Sequence, residues 1–230
     1  GKAAVQPRSI PRQVAGLAPG QQEFRVLIAE DNPDNLAILH KLLEDVGFIV
    51  RAAHNGAEAV QYFQEWKPCF IWMDRRMPVM DGLTATRKIR DLPGGRKVKI
   101  VALTASVFKE QREEILNGGA DDFVGKPFIP SEIFDCMSTH LDLRFQYLEQ
   151  NEEVKKAAID ITALEQLPVD LLQKLHKAFV LLDRDLALDE IGVVANINPA
   201  LAETLAEYVD NMEFDQPCKT IARVRNKMQG

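Results

Sequence analysis

The chain has 230 residues, with 28 lysines and arginines against 34 aspartates and glutamates, and therefore a formal net charge of -6. This acidic balance argues against nucleic acid as the main partner, because binding of phosphate backbones requires a basic face. Three cysteines without close pairing indicate neither a disulfide framework nor a zinc site, and they favour a reducing, cytoplasmic location. No apolar run approaches the roughly 18 residues of a membrane span, so we expect no span in this chain.

Composition divides the chain into four predicted segments. Residues 1–23 are broken by proline and glycine and predict a basic linker, and residues 24–143 predict an α/β domain. Residues 144–160 are polar and acidic and predict a connector, while residues 161–230 carry no strand pattern and predict a small all-α domain. Because the chain opens on a linker and lacks a starting methionine, we expect it to be a fragment of a longer protein.

Within residues 24–143, short apolar runs alternate with amphipathic segments. The predicted strands are Arg25–Ala29, Phe48–Ala53, Cys69–Met73, Lys99–Leu103 and Asp122–Val124. The predicted helices are Asn35–Val46, Ala57–Trp66, Leu83–Leu92, Lys109–Asn117 and Ser131–Leu141. Five alternations with short connections predict a doubly wound, five-stranded parallel sheet with helices on both faces. In the tail, helices are predicted over Val169–Leu182 and Asp185–Ala195 and from Pro199 and Asp215 onward.

Reactive polar residues follow four of the five predicted strands. Glu30 and Asp31 follow the first strand, Asp74 the third, Thr104 the fourth and Lys126 the fifth. The carboxyl ends of parallel strands form the ligand site of such a sheet, so these side chains are expected to converge. Three close carboxylates repel one another, a penalty that Mg²⁺ removes because it prefers oxygen ligands. A carboxylate held there can act as a nucleophile toward a phosphoryl group, while the ammonium and the hydroxyl contact its oxygens.

The surrounding strings resemble a known family. The motifs are Glu30–Asp31 (ED), Met73–Gly82 (MDRRMPVMDG), Ala102–Ala105 (ALTA) and Lys126–Phe128 (KPF). In this order they resemble the receiver domain of two-component response regulators, over roughly residues 24–143, which implies a flavodoxin-like fold. The strings Ile71–Asp74, Arg76–Gly82 and Asp121–Val124 further resemble the C-terminal receiver of bacterial hybrid sensor histidine kinases.

The resemblance implies a phospho-acceptor and a metal site. Asp74 matches the phospho-accepting aspartate of the family. Glu30 and Asp31 match the acidic pair that binds Mg²⁺ together with that aspartate. Arg76 matches the position whose backbone carbonyl completes the metal site.

The resemblance also implies a switch. Thr104 matches the switch hydroxyl and Lys126 the phosphate-pairing lysine. Phe123 matches the aromatic side chain that changes rotamer on activation, and the segment Ala105–Val107 matches a loop that moves with it.

The function implied is that of a phosphorelay receiver, which takes a phosphoryl group from a phosphohistidine on a histidine kinase or phosphotransfer domain. Such a receiver catalyses only its own phosphorylation and hydrolysis, and a homodimer through the receiver is one expected assembly. Two alternatives remain open. In the first alternative, the chain is an interaction module that transfers no phosphate. In the second, it is a DNA-binding response regulator that acts through its helical tail. Against the second alternative, the tail is acidic overall and shows no helix-turn-helix pattern.

Two side chains carry alternative hypotheses. His176 lies at the flank of an apolar stripe and is expected to be partly exposed. Helical phosphotransfer modules carry such a histidine, which raises the hypothesis that His176 transfers phosphate. Against it, residues 177–180 lack the Lys-Gly pattern expected after such a histidine. Arg76 is either a surface residue or a guanidinium that bends over the phosphoryl group and alters its lifetime. The other histidines, His40, His54 and His140, are expected to be ordinary surface or boundary residues.

Overall fold

The structure, a computed structural model, describes residues 14–105, 109–148 and 158–229. Its strands are β1 Val14–Leu17, β2 Arg25–Ala29, β3 Ile49–Ala53, β4 Phe70–Asp74, β5 Lys99–Thr104, β6 Asp122–Gly125 and β7 Phe145–Tyr147. Its first five helices are α1 Pro33–Val46, α2 Gly56–Trp66, α3 Gly82–Asp91, α4 Lys109–Asn117 and α5 Pro130–His140. The remaining helices are α6 Ile161–Glu165, α7 Val169–Val180, α8 Arg184–Ala195, α9 Pro199–Asp210 and α10 Asp215–Gln229.

Five strands form one parallel sheet in the order β3-β2-β4-β5-β6. The chain winds outward in both directions from β2, which has β3 on one side and β4 on the other. The predicted doubly wound five-stranded sheet is therefore confirmed. The order reverses next to β2 and β4, and the carboxyl ends of those two strands are the place where such sheets bind ligands.

Two apolar layers cover the sheet, because successive residues of a strand point to opposite faces. Leu27 and Ile71 lie on the face that α2 and α3 cover. Ile28 and Trp72 lie on the opposite face, in a buried cluster that also includes residues of α1, α5 and the C-terminal helices. Burial on both faces explains why β2, β4 and β5 are almost continuously apolar.

A small two-stranded sheet lies where the sequence predicted none. β1 pairs antiparallel with β7, with Leu17 opposite Phe145. The predicted linker 1–23 and the predicted connector 144–160 thus each contain a strand. The pairing joins two very short segments that lie more than a hundred residues apart, so no local sequence pattern predicts it. Residues 1–13 of the linker and 149–157 of the connector lie outside the described part of the chain.

The described tail, residues 158–229, is all-helical as predicted. It contains the predicted helices and the additional short helix α6, which begins where the Asp160 carboxylate accepts hydrogen bonds from the backbone N–H groups of Thr162 and Ala163. α7, α8, α9 and α10 share a buried interior that includes Leu172 and Leu205. Across the residues that the structure describes, no helix has the length and apolarity to cross a membrane.

Candidate active site

Three carboxylates meet at the carboxyl end of the sheet. Glu30, Asp31 and Asp74 each bring an oxygen atom within 4.8 Å of the other two. Asp74 is the last residue of β4, while Glu30 and Asp31 directly follow the neighbouring strand β2. Glu30 is 1% exposed and Asp74 is 8% exposed, whereas Asp31 faces solvent. The convergence of the three acids expected from the strand ends is therefore present.

One ammonium group neutralises much of this negative charge. Lys126 follows β6, and its Nζ atom lies 3.1 Å from Oδ1 of Asp74 and also pairs with the carboxylate of Glu30. Burial raises the pKa of Glu30 and of Asp74 above their ordinary values, and Lys126 opposes both shifts. Among the described residues, two buried carboxylates thus share one ammonium group, so the group keeps a net negative charge that a cation would neutralise.

Backbone and amide groups fix the orientation of these carboxylates. The backbone N–H of Asn32 donates to Oε1 of Glu30 at 3.2 Å, and the Asn35 side-chain amide donates to the same atom at 3.4 Å. The backbone amides of Arg76 and Arg75 hydrogen-bond the Asp74 carboxylate and partly offset the rise of its pKa. The start of α1 and the turn after β4 thus fix the positions of the Glu30 and Asp74 carboxylates.

The first residue of α3 has no room for a side chain. A Cβ atom at Gly82 would overlap the backbone carbonyl oxygen of Asp74, so only glycine allows α3 to start this close to β4. Its backbone N–H donates to the carbonyl of Arg75 at 3.1 Å. In the loop between Asp74 and Gly82, Val79 is highly exposed and has a φ angle of 66°, which is an unusual conformation for a β-branched residue. The loop beside Asp74 is therefore closely docked at both ends and strained at its tip.

The predicted switch residues lie on the two strands beyond β4. Thr104 is buried at the end of β5, and its backbone carbonyl accepts a hydrogen bond from the Lys126 N–H at 2.8 Å. Phe123 lies in β6, half-buried, with the Arg112 guanidinium 5.3 Å from the centre of its ring. Ala105 is exposed, while the other residues of the predicted mobile segment Ala105–Val107 lie outside the described residues.

The two arginines after Asp74 have different surroundings. Nη2 of Arg75 lies 2.6 Å from Oε2 of Glu114 and so joins the loop to α4. Arg76 is exposed. The contact between Arg75 and Glu114 was not predicted, because nothing in the local sequence connects residues 39 positions apart.

A second group of potential metal donors contains a hydrogen bond between a histidine and an aspartate. Asp122, Cys136 and His140 lie close together, and Nε2 of His140 is 3.1 Å from Oδ2 of Asp122. Burial and the nearby Asp122 raise the pKa of Cys136 to about 12, so its thiol stays protonated. His140 therefore connects α5 to β6 at the edge of the sheet, which agrees with its interpretation as a boundary residue.

The expectation that His176 is partly exposed is wrong. It is 3% exposed in α7, and burial together with the Arg225 guanidinium lowers its pKa to about 3. The side chain points into the contact between the tail and the sheet domain rather than to solvent, where a phosphoryl donor would have to reach it. The structure therefore gives no support to phosphotransfer by His176.

The donor set at the carboxyl end of the sheet fits Mg²⁺. Carboxylate oxygens are the hard ligands that this ion prefers. Two of the three carboxylates in the site are buried, and Lys126 only partly balances their negative charge. Beside them, an amine and a hydroxyl lie on neighbouring strand ends. This combination suits transfer of a phosphoryl group to a carboxylate, which needs positioning and charge neutralisation above all.

Comparison with known families agrees with this geometry. The family "Response regulator receiver domain" matches residues 26–138, and the family "Hybrid histidine kinase-response regulator, C-terminal domain" matches residues 157–219. The sensor histidine kinase GacS of Pseudomonas protegens is 35% identical over 147 residues, which are 62% of this chain and 16% of GacS. Hybrid signal transduction histidine kinase I of Dictyostelium discoideum is 34% identical over 135 residues, which are 55% of this chain and 8% of that protein. The chain thus spans only a small part of these relatives.

Solved structures similar to this chain are receiver domains. The chemotaxis protein CheY4 of Vibrio cholerae has a TM-score of 0.50 and 27% identity, covering 52% of this chain and all of CheY4. The receiver of the Pseudomonas aeruginosa sensor histidine kinase PA1611, crystallised with magnesium in its active-site cleft, has 36% identity and a TM-score of 0.49, covering 51% of this chain and 97% of that one. A chain from the complex of Saccharomyces cerevisiae phosphotransfer protein Ypd1 with the Ssk1 receiver has 32% identity and a TM-score of 0.48, covering 50% and 91%.

The resemblance seen in the sequence is therefore confirmed over both parts of the chain. The sheet domain has the family's fold and match, and the helical tail has a family match of its own. The chain belongs to the response regulator receiver family, and it is a receiver domain of the two-component phosphorelay type joined to the C-terminal domain of hybrid histidine kinase-response regulators.

Proposed function

We propose that Asp74 is the phospho-acceptor and that its donor is a phosphohistidine on a histidine kinase or a phosphotransfer domain. The observation that carries the proposal is the position of the Asp74 carboxylate, 3.1 Å from the Lys126 ammonium and within 4.8 Å of two further acids. An oxygen of Asp74 attacks phosphorus as the nitrogen–phosphorus bond of the donor breaks, and the released imidazole takes up a proton. The product is an acyl phosphate on Asp74.

Glu30, Asp31 and Asp74, with the backbone carbonyl of Arg76, would hold Mg²⁺. When bound, the ion supplies positive charge to the carboxylates and to the phosphoryl oxygens. The support is the chemistry of the donors: three carboxylate oxygens lie together, and two of the three carboxylates are buried beside a single lysine.

Lys126 and Thr104 are the groups that respond to the new charge. The ammonium of Lys126 already faces Asp74 and pairs with one phosphoryl oxygen once it forms. The Thr104 hydroxyl binds another, and Phe123 and the segment Ala105–Val107 rearrange with it. The changed surface then includes the carboxyl ends of β5 and β6 and the neighbouring helices α4 and α5.

The setting we propose is a piece of a cytoplasmic hybrid histidine kinase. The helical tail with its own family match and the hybrid kinases among the relatives support this placement. A homodimer through the receiver remains a prediction. The receiver match and the acid cluster favour phosphate transfer over a docking module that transfers none, and over a DNA-binding regulator.

A transfer assay tests this function. A purified phosphotransfer protein, labelled with radioactive phosphate on its histidine, is mixed with the chain in the presence of Mg²⁺. We expect label to move to the chain, and we expect no transfer to Asp74→Asn or after chelation of the metal. Asp45→Asn, an exposed acid on the far part of α1, is the matched control and should accept label normally. Transfer that persists in Asp74→Asn would place the acceptor elsewhere.

A further inference from the structure

The helical tail contacts the receiver at the loop that carries Lys126. Phe128, two residues after Lys126, is buried, and its backbone carbonyl accepts a hydrogen bond from the thiol of Cys218 at 3.5 Å. The imidazole of His176 also interacts with the backbone of Phe128, which opposes part of the fall that burial causes in the pKa of this histidine. Cys218 belongs to α10 and His176 to α7, so two helices of the tail contact the backbone of a single receiver residue.

This contact is shielded from water. Cys218 is completely buried and His176 nearly so. Burial raises the pKa of the Cys218 thiol well above its ordinary value, which keeps the S–H donor in place. The pKa of His176, about 3, keeps its ring neutral near pH 7, and its Nε2 atom has no hydrogen-bond partner among the described residues. A buried carbonyl that lost the Cys218 donor would be costly to leave unpaired.

Charged groups extend the contact along α5, which begins two residues after Phe128. Lys219 of α10 lies close enough to Glu132 of α5 to oppose the rise that burial causes in the pKa of Glu132. Asp215, four residues earlier in α10, raises the pKa of both Glu132 and Asp135. The tail therefore contacts the receiver at Phe128 and along α5, both of which follow Lys126 in the chain.

We propose that the helical tail positions the phosphate-pairing lysine: His176 and Cys218 hold the carbonyl of Phe128 and thereby keep Lys126 beside Asp74. Lys126 is attached to Phe128 through one proline, so little freedom separates the two. His176 and Cys218 are positioning residues, since neither touches the carboxylates. The proposal rests on the proposed role of Asp74 as acceptor.

Coupling of this kind acts in both directions. If the docked tail favours the position of Lys126 that binds a phosphoryl group, then phosphorylation must stabilise the docked tail by the same free energy. The tail would then report the state of Asp74 to the rest of a larger protein. The receiver surface used would be the loop after β6 and the face of α5.

Matched variants separate the effect of the hydrogen-bond donor from the effect of side-chain size. Cys218→Ala removes the thiol donor, whereas Cys218→Ser keeps a donor of similar size. His176→Leu removes the ring donor, whereas His176→Asn keeps an N–H near the same place. We expect the alanine and leucine variants to be phosphorylated by acetyl phosphate about fivefold more slowly, the effect of losing one buried hydrogen bond. The serine and asparagine variants should stay close to the unchanged chain.

Val194→Ala controls for loss of stability in the tail. Val194 is buried in α8 and is not among the partners of Phe128, so this variant should weaken the tail without slowing phosphorylation. All rates are compared well below the unfolding temperature of each variant. Normal rates in Cys218→Ala and His176→Leu, or an equal slowing in Val194→Ala, would overturn the proposal.

A second readout does not depend on phosphate transfer. The NMR resonances of the Lys126 side chain, recorded without any phosphodonor, should shift in Cys218→Ala and return in Cys218→Ser. Unchanged resonances would again contradict the positioning role. If the unchanged chain accepts no phosphate while the resonances shift as expected, the proposed function fails and the positioning of Lys126 by the tail stands.

Discussion

The ammonium of Lys126 lies 3.1 Å from the carboxylate of Asp74, although the two residues are on β4 and beyond β6, with β5 between them. The same ammonium pairs with Glu30, next to β2. One side chain thus links three parts of the sheet at its carboxyl end. Because a bound metal ion or phosphoryl group would change the charge at this point, we expect Lys126 to respond to both.

We expect Lys126→Gln to destabilise the receiver by roughly 3 kcal/mol, since removing one partner leaves buried carboxylates without their cation. Added Mg²⁺ should restore part of this loss by supplying the missing positive charge. Urea denaturation with and without Mg²⁺ measures both effects. Lys41→Gln, which breaks an exposed ion pair with Asp45, is the control and should cost less than about 1 kcal/mol. Equal losses in the two variants would contradict the account.

Asp31→Asn should remove most of the stabilisation by Mg²⁺ while leaving the fold intact, because Asp31 is exposed and contributes charge rather than packing. In the unchanged chain, Mg²⁺ at about 100 times its dissociation constant should stabilise the folded state by about 2.7 kcal/mol. Thermal melts at increasing Mg²⁺ concentration measure this. Asp34→Asn, an exposed acid in the first turn of α1, should keep the full response. A full response in Asp31→Asn would remove Asp31 from the metal site.

Arg76→Ala should shorten the half-life of the phosphorylated receiver two- to fivefold if the guanidinium covers the phosphoryl group, as an exposed charge pair is worth up to about 1 kcal/mol. Decay of the acyl phosphate after removal of the donor gives this half-life. Arg75→Ala, which breaks the contact with Glu114, tests the loop on its own. An unchanged half-life in Arg76→Ala would leave Arg76 as a surface residue.

Stability should fall as the pH is lowered, in part through His176. Its pKa is about 3 in the folded chain against 6.5 for an ordinary histidine. Between these pH values, His176 is protonated in the unfolded chain but not in the folded chain, so acid favours unfolding. The free energy of unfolding then falls by at most about 1.4 kcal/mol per pH unit. The buried carboxylates of Glu30 and Asp74 act in the opposite direction because their pKa values are raised.

The comparison of His176→Asn with the unchanged chain isolates this contribution. Urea denaturation from about pH 7 down to about pH 4.5 should show a shallower loss of stability in the variant, because asparagine has no proton to gain in this range. His54→Asn, an exposed histidine, should retain the original slope. Parallel slopes for all three proteins would mean that His176 is not buried as a neutral ring.

The sheet and its acids were predictable because their signals are local. The strand Arg25–Ala29 was predicted with its exact bounds, and Glu30, Asp74 and Thr104 each directly follow an apolar run of the sequence. Once the strands are known to be parallel, the meeting of Glu30 with Asp74 follows from the order of the sheet. Neighbouring strand ends thus made most of the candidate site readable from the sequence.

Contacts between distant segments were not predictable. The pairing of Val14–Leu17 with Phe145–Tyr147 depends on two short segments meeting across the whole receiver. The burial of His176 likewise depends on how the tail docks against Phe128, and not on the helical period of α7, which places the ring only at the flank of its apolar stripe. In both cases tertiary packing decides what the local pattern leaves open.

The position of the phosphoryl group tests the proposed role of Asp74 most directly. The chain is incubated with acetyl phosphate and Mg²⁺ and then reduced with borohydride, which converts an aspartyl phosphate to homoserine, and its peptides are sequenced by mass spectrometry. We predict homoserine at position 74 alone, dependent on Mg²⁺ and lost in Lys126→Gln. Homoserine at another acid, or an unmodified Asp74 in folded protein, would contradict it.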